Sequence, residues 1–366
     1  MIVVVNIIDT LDLGGAENMA VNIANKLSML EGYESHLMIT RATDGPLSER
    51  IAPGVKLFLL KKKRSIDFKA LRGMFNYFKE NKVNIVHAHS ASHIYPAILK
   101  KALSFKLIWH DHHGLKINYE TGKRHYPVSP FVKAFDYTIA VNEELLKTDI
   151  QFFKIYPSKI TYIPNFSIKQ KPEANKATTI LKSGVTKFVC LANLREQKDH
   201  FTLLDAFESV INKHDNVHLY LMGMGENNPY QEKLVMRMNS GKLKTHVTWL
   251  GIVEHPMEIL QQCDIAVISS TSEGLPLALI EYGQARLTVI TTNVGQIPQY
   301  IDDKNGILVN PKDTGSLSDK MNLLIEDESL RHTLAENWHT EVKNSFDAEI
   351  LFSRILEIYS KVLHKN

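Results

Sequence analysis

The chain has 366 residues, 44% hydrophobic and 23% charged, with 18 glycines, 13 prolines and two cysteines. That balance belongs to a folded globular protein long enough for two cores, and it excludes a disordered chain, a collagen-like repeat and a disulfide scaffold. The net charge of +3 conceals an asymmetry, because residues 1–170 carry 23 Lys and Arg against 15 Asp and Glu while the remainder carries 20 against 25.

The opening run IVVVNII (2–8) contains Asn6 and is followed by Asp9, without the basic flank or small-residue cleavage site of a leader. It reads as a first buried strand. Further strands are expected at 35–40, 55–60, 84–89, 106–110, 136–141 and 160–163, and covering helices at 67–80 and 142–153. Met19, Ile23 and Leu27 recur every four residues, one face of a helix between the first two strands. The polar, proline-containing stretch 167–186 reads as a linker. A second series then begins, with strands at 187–193, 217–223, 247–251, 264–270, 287–292 and 306–310. Such alternation predicts parallel sheets covered by helices, occurring twice. Leu351, Ile355, Ile358 and Val362 give a last amphipathic helix that must dock on another element. No window approaches the roughly 18 to 20 apolar residues of a membrane span, so any membrane contact is expected to be peripheral. Cys190 and Cys263 lie in or beside strands without zinc or redox spacing, which suggests a reducing compartment.

The strongest local signal is SSTSEGLPLALIEYGQA (269–285), just after the apolar strand DIAVI. Ligands of open α/β sheets sit at such strand ends, and Gly274 with Pro276 provides a tight turn before a helix. Glu273 in the turn and Glu281 in the helix can both address one molecule; equally, they suit a helix-start acid and a solvated glutamate. Gly14 and Gly15 follow the first strand, where glycine permits positive φ and close approach to phosphate, or makes a plain turn. Lys198 is placed at the start of a helix after 187–193, within reach of an anion. Histidines cluster at His87, His89 and His93 and again at His110, His112 and His113. HxH spacing puts both rings on one strand face, so zinc binding stands as the alternative to a supporting role for His87 and His89 at the strand end. KKKR at 61–64, with Lys56, Lys69, Arg72, Lys79 and Lys82 nearby, suits anionic headgroups, a phosphorylated acceptor or a plain solvated face.

These segments fall in one order. The carboxylate pair resembles the Glu-x7-Glu signature of the family 4 retaining glycosyltransferases. GGAENMAVNIANKL (14–27), IVHAHS (85–90), WHDHHG (109–114), YIPNF (162–166), LANLREQKDHFTLLDAF (191–207), LMGMGE (221–226), VTWLGIV (247–253), NVGQIP (293–298) and GILVNPKD (306–313) resemble that family's further landmarks.

The resemblance implies an α/β GT-B fold, two Rossmann-like doubly wound domains facing a central cleft. An acceptor-binding domain is expected over 1–168, a nucleotide-sugar-binding domain over 169–346, and a helix over 347–366 crossing back to the first domain. It implies sugar transfer with retention from a nucleoside diphosphate sugar, taken as UDP-linked, to a glycan or lipid-linked acceptor in surface polysaccharide synthesis. By resemblance His113, Lys198 and Glu273 are catalytic. The donor would be held by Gly14, Gly15, Asn193, Arg195, Lys198, Ile252, Val253, Glu273, Gly274, Leu275, Pro276, Leu277 and Glu281. The family arginine is replaced by Asn193, with Arg195 as a substitute if it turns inward. No DxD triplet occurs, so neither a metal nor a cofactor is expected. Nucleic acid is not expected as a partner, and the site of action is the cytoplasm or the cytoplasmic membrane face. Alternatives are a sugar-nucleotide 2-epimerase of GT-B fold and a non-catalytic nucleotide-sugar-binding module.

Overall fold

A computed structural model describes the chain except residues 13, 42–44, 65, 113–116, 119–122, 125–127, 169–180, 226 and 365–366. It divides into two compact units, Met1–Ser167 with Ala348–Asn366, and Ile168–Asp347.

The first unit holds strands β1 (Ile2–Ile8), β2 (Tyr33–Ile39), β3 (Lys56–Leu59), β4 (Ile85–His89), β5 (Lys106–Asp111), β8 (Tyr137–Ala140) and β9 (Ile160–Tyr162), with a short antiparallel pair, β6 (Ile117–Asn118) and β7 (Lys123–Arg124), between β5 and β8. The main sheet runs β3-β2-β1-β4-β5-β8-β9, every pairing parallel. Side chains alternate across it, as strand geometry requires. Val3, Val5 and Ile7 pack with Val86, Ala88, Leu107 and Trp109 on one face, under Ala70, Met74 and Phe78 of helix Phe68–Glu80. Ile8 lies on the opposite face with Leu37, Ile39 and the apolar stripe of helix Gly15–Ser28. Asp67 and Asn142 cap the helices that follow them, each accepting a backbone N–H three residues on.

The second unit has β10 (Thr186–Leu191), β11 (Val217–Met222), β12 (Val247–Trp249), β13 (Ile265–Ile268), β14 (Thr288–Thr292) and β15 (Ile307–Val309), in the order β12-β11-β10-β13-β14-β15, again wholly parallel. Phe188 and Cys190 face helix His200–Ile211, while Val189, Ala266 and Ile268 face helix Leu277–Gln284. Strand order reverses between β1 and β4 and between β10 and β13, so each unit has the switch point of a doubly wound sheet. Helix Ile94–Leu99 and the short 3-10 turns were not expected from the sequence, being too brief for a periodic signal.

The last helix, Ala348–Leu363, belongs to the first unit and buries Leu351, Phe352, Ile355, Ile358, Tyr359 and Val362. Its polar contacts are specific: Arg354 donates to the Tyr162 carbonyl at 2.7 Å, Lys26 pairs with Glu349 at 2.5 Å, and the buried Tyr359 hydroxyl lies 2.7 Å from Nδ1 of His87. Removing one partner of a buried hydrogen bond costs about 1–3 kcal/mol. Tyr359→Phe is therefore expected to lower unfolding stability by that order, read as a lower urea midpoint at unchanged slope. An unchanged midpoint would show that the hydroxyl contributes nothing.

Candidate active site

The switch point of the second unit brings together Lys198, Glu273 and Pro276 of the residues singled out in the sequence. The segment after β10 turns one way and the segment after β13 the other, and the two are stitched together. The Ser269 hydroxyl donates to the Lys198 carbonyl at 2.8 Å, and the Thr271 N–H donates to the Gln197 carbonyl at 2.8 Å. Lys198 ends the one-turn 3-10 segment Glu196–Lys198, and helix His200–Ile211 starts only after Asp199, whose backbone is left-handed at φ 48°. The expectation that Lys198 opens the helix is corrected by that intervening turn. From there its ammonium reaches Glu273, Nζ to Oε1 2.5 Å, and the buried Ser270 hydroxyl donates to the same oxygen at 2.6 Å. The Lys198 side chain is 19% exposed and that of Glu273 7%, so the pair is mostly desolvated yet open on one side. A small concavity there is lined by Leu191, Ala192, Lys198, Ser269, Glu273 and Pro276.

The turn bearing Glu273 is fixed by backbone packing. Gly295 has φ +57°, and a Cβ there would stand 2.0 Å from the Glu273 carbonyl oxygen and 2.8 Å from that of Gly274. Only glycine satisfies both demands. The next residue, Gln296, donates its N–H to the Gly274 carbonyl at 3.1 Å. Gly295 was legible in the sequence only as part of a motif, because a close approach between distant loops leaves no local pattern.

Pro276 caps helix Leu277–Gln284 in extended conformation, Leu275 is buried beneath the turn, and Glu281 lies half-buried within the helix. The helix is located by three bonds. The Tyr282 hydroxyl accepts the Leu191 N–H at 2.6 Å, the Trp338 indole donates to the Leu279 carbonyl at 2.9 Å, and His339 Nδ1 lies 2.8 Å from the Gly283 carbonyl. Gly283 lets Trp338 and Val342 press against the helix backbone; an added Cβ would meet Val342 at 2.5 Å.

Asn193 is turned to its own scaffold, its Oδ1 accepting the Met224 N–H at 3.0 Å, while Arg195 is exposed. Beyond β12 the chain passes Gly251 at φ +69° to Ile252, which is 43% exposed, and the half-buried Val253. The Gly223 N–H donates to the Gly251 carbonyl at 2.8 Å, tying this loop to the one after β11. Burial pushes the Cys190 thiol up to about 12, which leaves it without nucleophilic character.

In the first unit Gly14 caps the first helix at φ −131°, an ordinary extended geometry, so the positive φ anticipated for the glycine pair is not used there. A Cβ on Gly14 would meet only the flexible end of Glu17. His113, with Gly114, lies outside the described residues.

Asn6, His87, His89 and His110 share the sheet face covered by the last helix. His87 Nε2 lies 3.1 Å from His110 Nδ1, His89 Nδ1 3.0 Å from His112 Nε2, and His89 Nε2 3.4 Å from Asn6 Oδ1. The rings of His87 and His89 are tilted by only 13° and those of His87 and His110 by 19°. One nitrogen from each of His87, His89 and His110 falls within 4.8 Å of the others, so these three are the residues that metal would use. Both ring nitrogens of His87 and of His89 are already in hydrogen bonds, to Tyr359, His110, His112 and Asn6, so a metal would have to displace bonds at these two rings, whereas His110 Nε2 is buried without a partner among the described residues. The arrangement is a ladder of mutually hydrogen-bonded imidazoles.

Burial lowers the pKa of His87 to about 3 and depresses His89 and His110 strongly; His200, buried beside Lys198, is lowered to about 4. These imidazoles are neutral in the folded state and charge only on unfolding at acid pH. The unfolded chain then binds more protons, so stability is full above about pH 6.5 and falls as pH drops toward 4 and 3, by roughly 1 kcal/mol per pH unit for each such group. Thermal melts should show a steep loss across that window. A melting temperature flat from pH 6.5 to 4 would contradict the neutral ladder.

Comparison with known proteins closes the identification. The description "Glycosyltransferase Family 4" matches residues 13–166, and "Glycosyl transferases group 1" matches residues 172–340. The chain belongs to the family 4 glycosyltransferases. Over 218 residues it is 30% identical to an N,N'-diacetylbacillosaminyl-diphospho-undecaprenol alpha-1,3-N-acetylgalactosaminyltransferase of Campylobacter jejuni, 58% of this chain and 52% of that protein. The match thus spans about half the length of that relative. A UDP-Gal:alpha-D-GlcNAc-diphosphoundecaprenol alpha-1,3-galactosyltransferase of Escherichia coli is 25% identical over 338 residues, 86% of each chain. Among solved structures, a glycosyltransferase from Rickettsia africae aligns with TM-score 0.80 at 17% identity, covering 100% of this chain and 99% of that one. Anabaena Alr3699/HepE in complex with UDP and glucose aligns with TM-score 0.78 at 17% identity, covering 99% and 100%. The glycosyltransferase has the GT-B fold.

Proposed function

We propose that this glycosyltransferase moves a sugar from a UDP-sugar to a hydroxyl of a lipid-linked or other glycan acceptor, with retention of anomeric configuration, in surface polysaccharide synthesis. The carrying observation is the Lys198–Glu273 pair, held at 2.5 Å at the switch point of the second unit. An ammonium fixed there neutralises a diphosphate without rearranging, and charge preorganised at a leaving group contributes more to catalysis of this kind than most other effects. The Glu273 carboxylate both aims Lys198 and offers acceptors to sugar hydroxyls, assisted by the backbone around Gly274, Leu275 and Leu277. Glu281, one helix turn and more beyond, provides two acceptor oxygens for the vicinal diol of a ribose. The exposed backbone at Ile252 and Val253 serves the base. The first unit takes the acceptor.

The relatives supply the choice of substrates. The Escherichia coli protein is named for UDP-Gal and a diphosphoundecaprenol acceptor, and the Campylobacter protein for a diphospho-undecaprenol acceptor. The structural neighbour binds UDP and glucose. With such an acceptor the enzyme works at the cytoplasmic face of a membrane; no helix among the described residues is long and apolar enough to cross one.

Cleavage of the anomeric C–O bond yields an oxocarbenium-like transition state with charge growing on the departing diphosphate, whose oxygen takes the acceptor proton on the same face. The step asks for fixed cations and dipoles, and neither a protein nucleophile nor a metal ion takes part. Deleting one such donor costs about 10²–10³ in rate. Lys198→Ala and Glu281→Ala are each expected to reduce transfer at least about tenfold with melting still cooperative. Wild-type turnover in both would overturn the assignment, and loss of activity on adding EDTA would overturn metal independence. An inverted product by NMR would reject retention.

A further inference from the structure

We propose that Tyr282 is a positioning residue of the donor site: its hydroxyl fixes helix Leu277–Gln284 against the end of β10, and through that bond the enzyme selects a ribonucleotide over a 2′-deoxyribonucleotide. The inference rests on the reading of Glu281 as the ribose ligand and deepens it.

Strand β10 loses one neighbour before it ends. Its pairing with β13 stops at Val189 and Ala266, whereas its pairing with β11 continues to Leu191 and Met222. The Ala192 N–H turns toward β11 and donates to the Met222 carbonyl at 2.8 Å. Successive N–H groups of a strand point to opposite neighbours, so that of Leu191 faces the side that β13 has left. A buried N–H without an acceptor is costly. The Tyr282 hydroxyl supplies the acceptor, at 2.6 Å. Tyr282 is itself fully buried, in one cluster with Val189, Ile268 and Leu279. Burial pushes its phenol well above the ordinary value, so the hydroxyl stays neutral.

The place of Tyr282 in the sequence gives this bond its reach. Leu191 leads through Ala192 and Asn193 into the loop that carries Lys198, and Leu191, Ala192 and Lys198 line one concavity with Glu273. Glu281 immediately precedes Tyr282, and at about 3.6 residues per turn the two side chains leave the helix about 100° apart. Trp338 and His339 hold the same helix from the side of helix Glu328–Ser345, whereas Tyr282 holds it to the strand that leads to Lys198. With that bond made, the helix is kept from rolling about its own axis, and Glu281 keeps its bearing on the Lys198 loop. Without it the grip on the ribose hydroxyls fails first, because hydrogen bonds weaken steeply with misalignment while attraction between an ammonium and a diphosphate falls off slowly with distance.

The test is calorimetric titration of the full chain with UDP and with 2′-deoxy-UDP. The wild type is expected to bind UDP about tenfold or more tightly, the effect of one hydrogen bond to a charged group. Tyr282→Phe should bind the two within about threefold of one another. Tyr220→Phe is the control, since Tyr220 is buried in the same cluster and its hydroxyl also accepts a backbone N–H, from Lys182 ahead of β10 at 3.0 Å. It should lower the melting temperature as Tyr282→Phe does, yet keep the full preference. Loss of preference in both variants would overturn the inference, because general loosening of the unit would then suffice. Hydrogen exchange of the wild type reads the same coupling without a substitution, since coupling between two sites is reciprocal. Saturating UDP should protect the Leu191 amide more than saturating 2′-deoxy-UDP does, and equal protection would also overturn the inference. A wild type that does not separate the two nucleotides would reject the ribose role of Glu281, and this inference with it; full separation by the wild type and by Tyr282→Phe alike would reject this inference alone.

Discussion

The site depends on how a doubly wound parallel sheet ends. At the reversal of strand order, the chain leaving β10 and the chain leaving β13 diverge, and backbone groups at their ends lose strand partners. The gap is closed by bonds between the two loops, from Ser269 to the Lys198 carbonyl and from Thr271 to that of Gln197. Once those bonds exist, an ammonium and a carboxylate from residues 75 apart in sequence meet at hydrogen-bond distance. Neither charge could be so desolvated alone; the partner and the Ser270 hydroxyl make burial tolerable, and one open side leaves the ammonium available to an anion.

Much of the fold could be read from residues alone because parallel strands, buried on both faces, appear as short continuous apolar runs. Residues 187–193 and 264–270 were recognisable in this way, and the structure shortens them to Thr186–Leu191 and Ile265–Ile268 where the chain turns into the site. Glu273 stood out because it follows such a run and precedes a proline-started helix. Lys198 was legible as a helix-start residue within reach of an anion but not as the end of a separate turn, since a single 3-10 turn and the left-handed Asp199 leave no periodic trace. Gly295, Tyr282 and Trp338 were silent as supports. Their jobs are contacts with segments tens of residues away, and a lone sequence contains no record of those.

The histidines show the same limit in another form. Spacing placed His87 and His89 on one strand face and left metal binding or structural service open. What decides the description is the neighbouring strand, which sets His110 beside His89 in register, and the last helix, which brings Tyr359 to His87. Imidazole suits this position because a neutral ring offers one donor and one acceptor, enough to continue a chain of bonds across a sheet face where an aliphatic side chain would leave Asn6 and Tyr359 unanswered.

The returning helix gives the chain an unusual order of assembly. The first unit is interrupted in sequence by the whole of the second, Ile168–Asp347. During synthesis, at about 5–20 residues per second, its sheet emerges early, but the Tyr359 hydroxyl and the apolar stripe from Leu351 to Val362 arrive only after the intervening unit has been made. For that interval the face bearing His87 has helix Gly15–Ser28 but lacks its last helix, so the Tyr359 partner of His87 is missing. The first-made part of this protein is therefore the last to be finished.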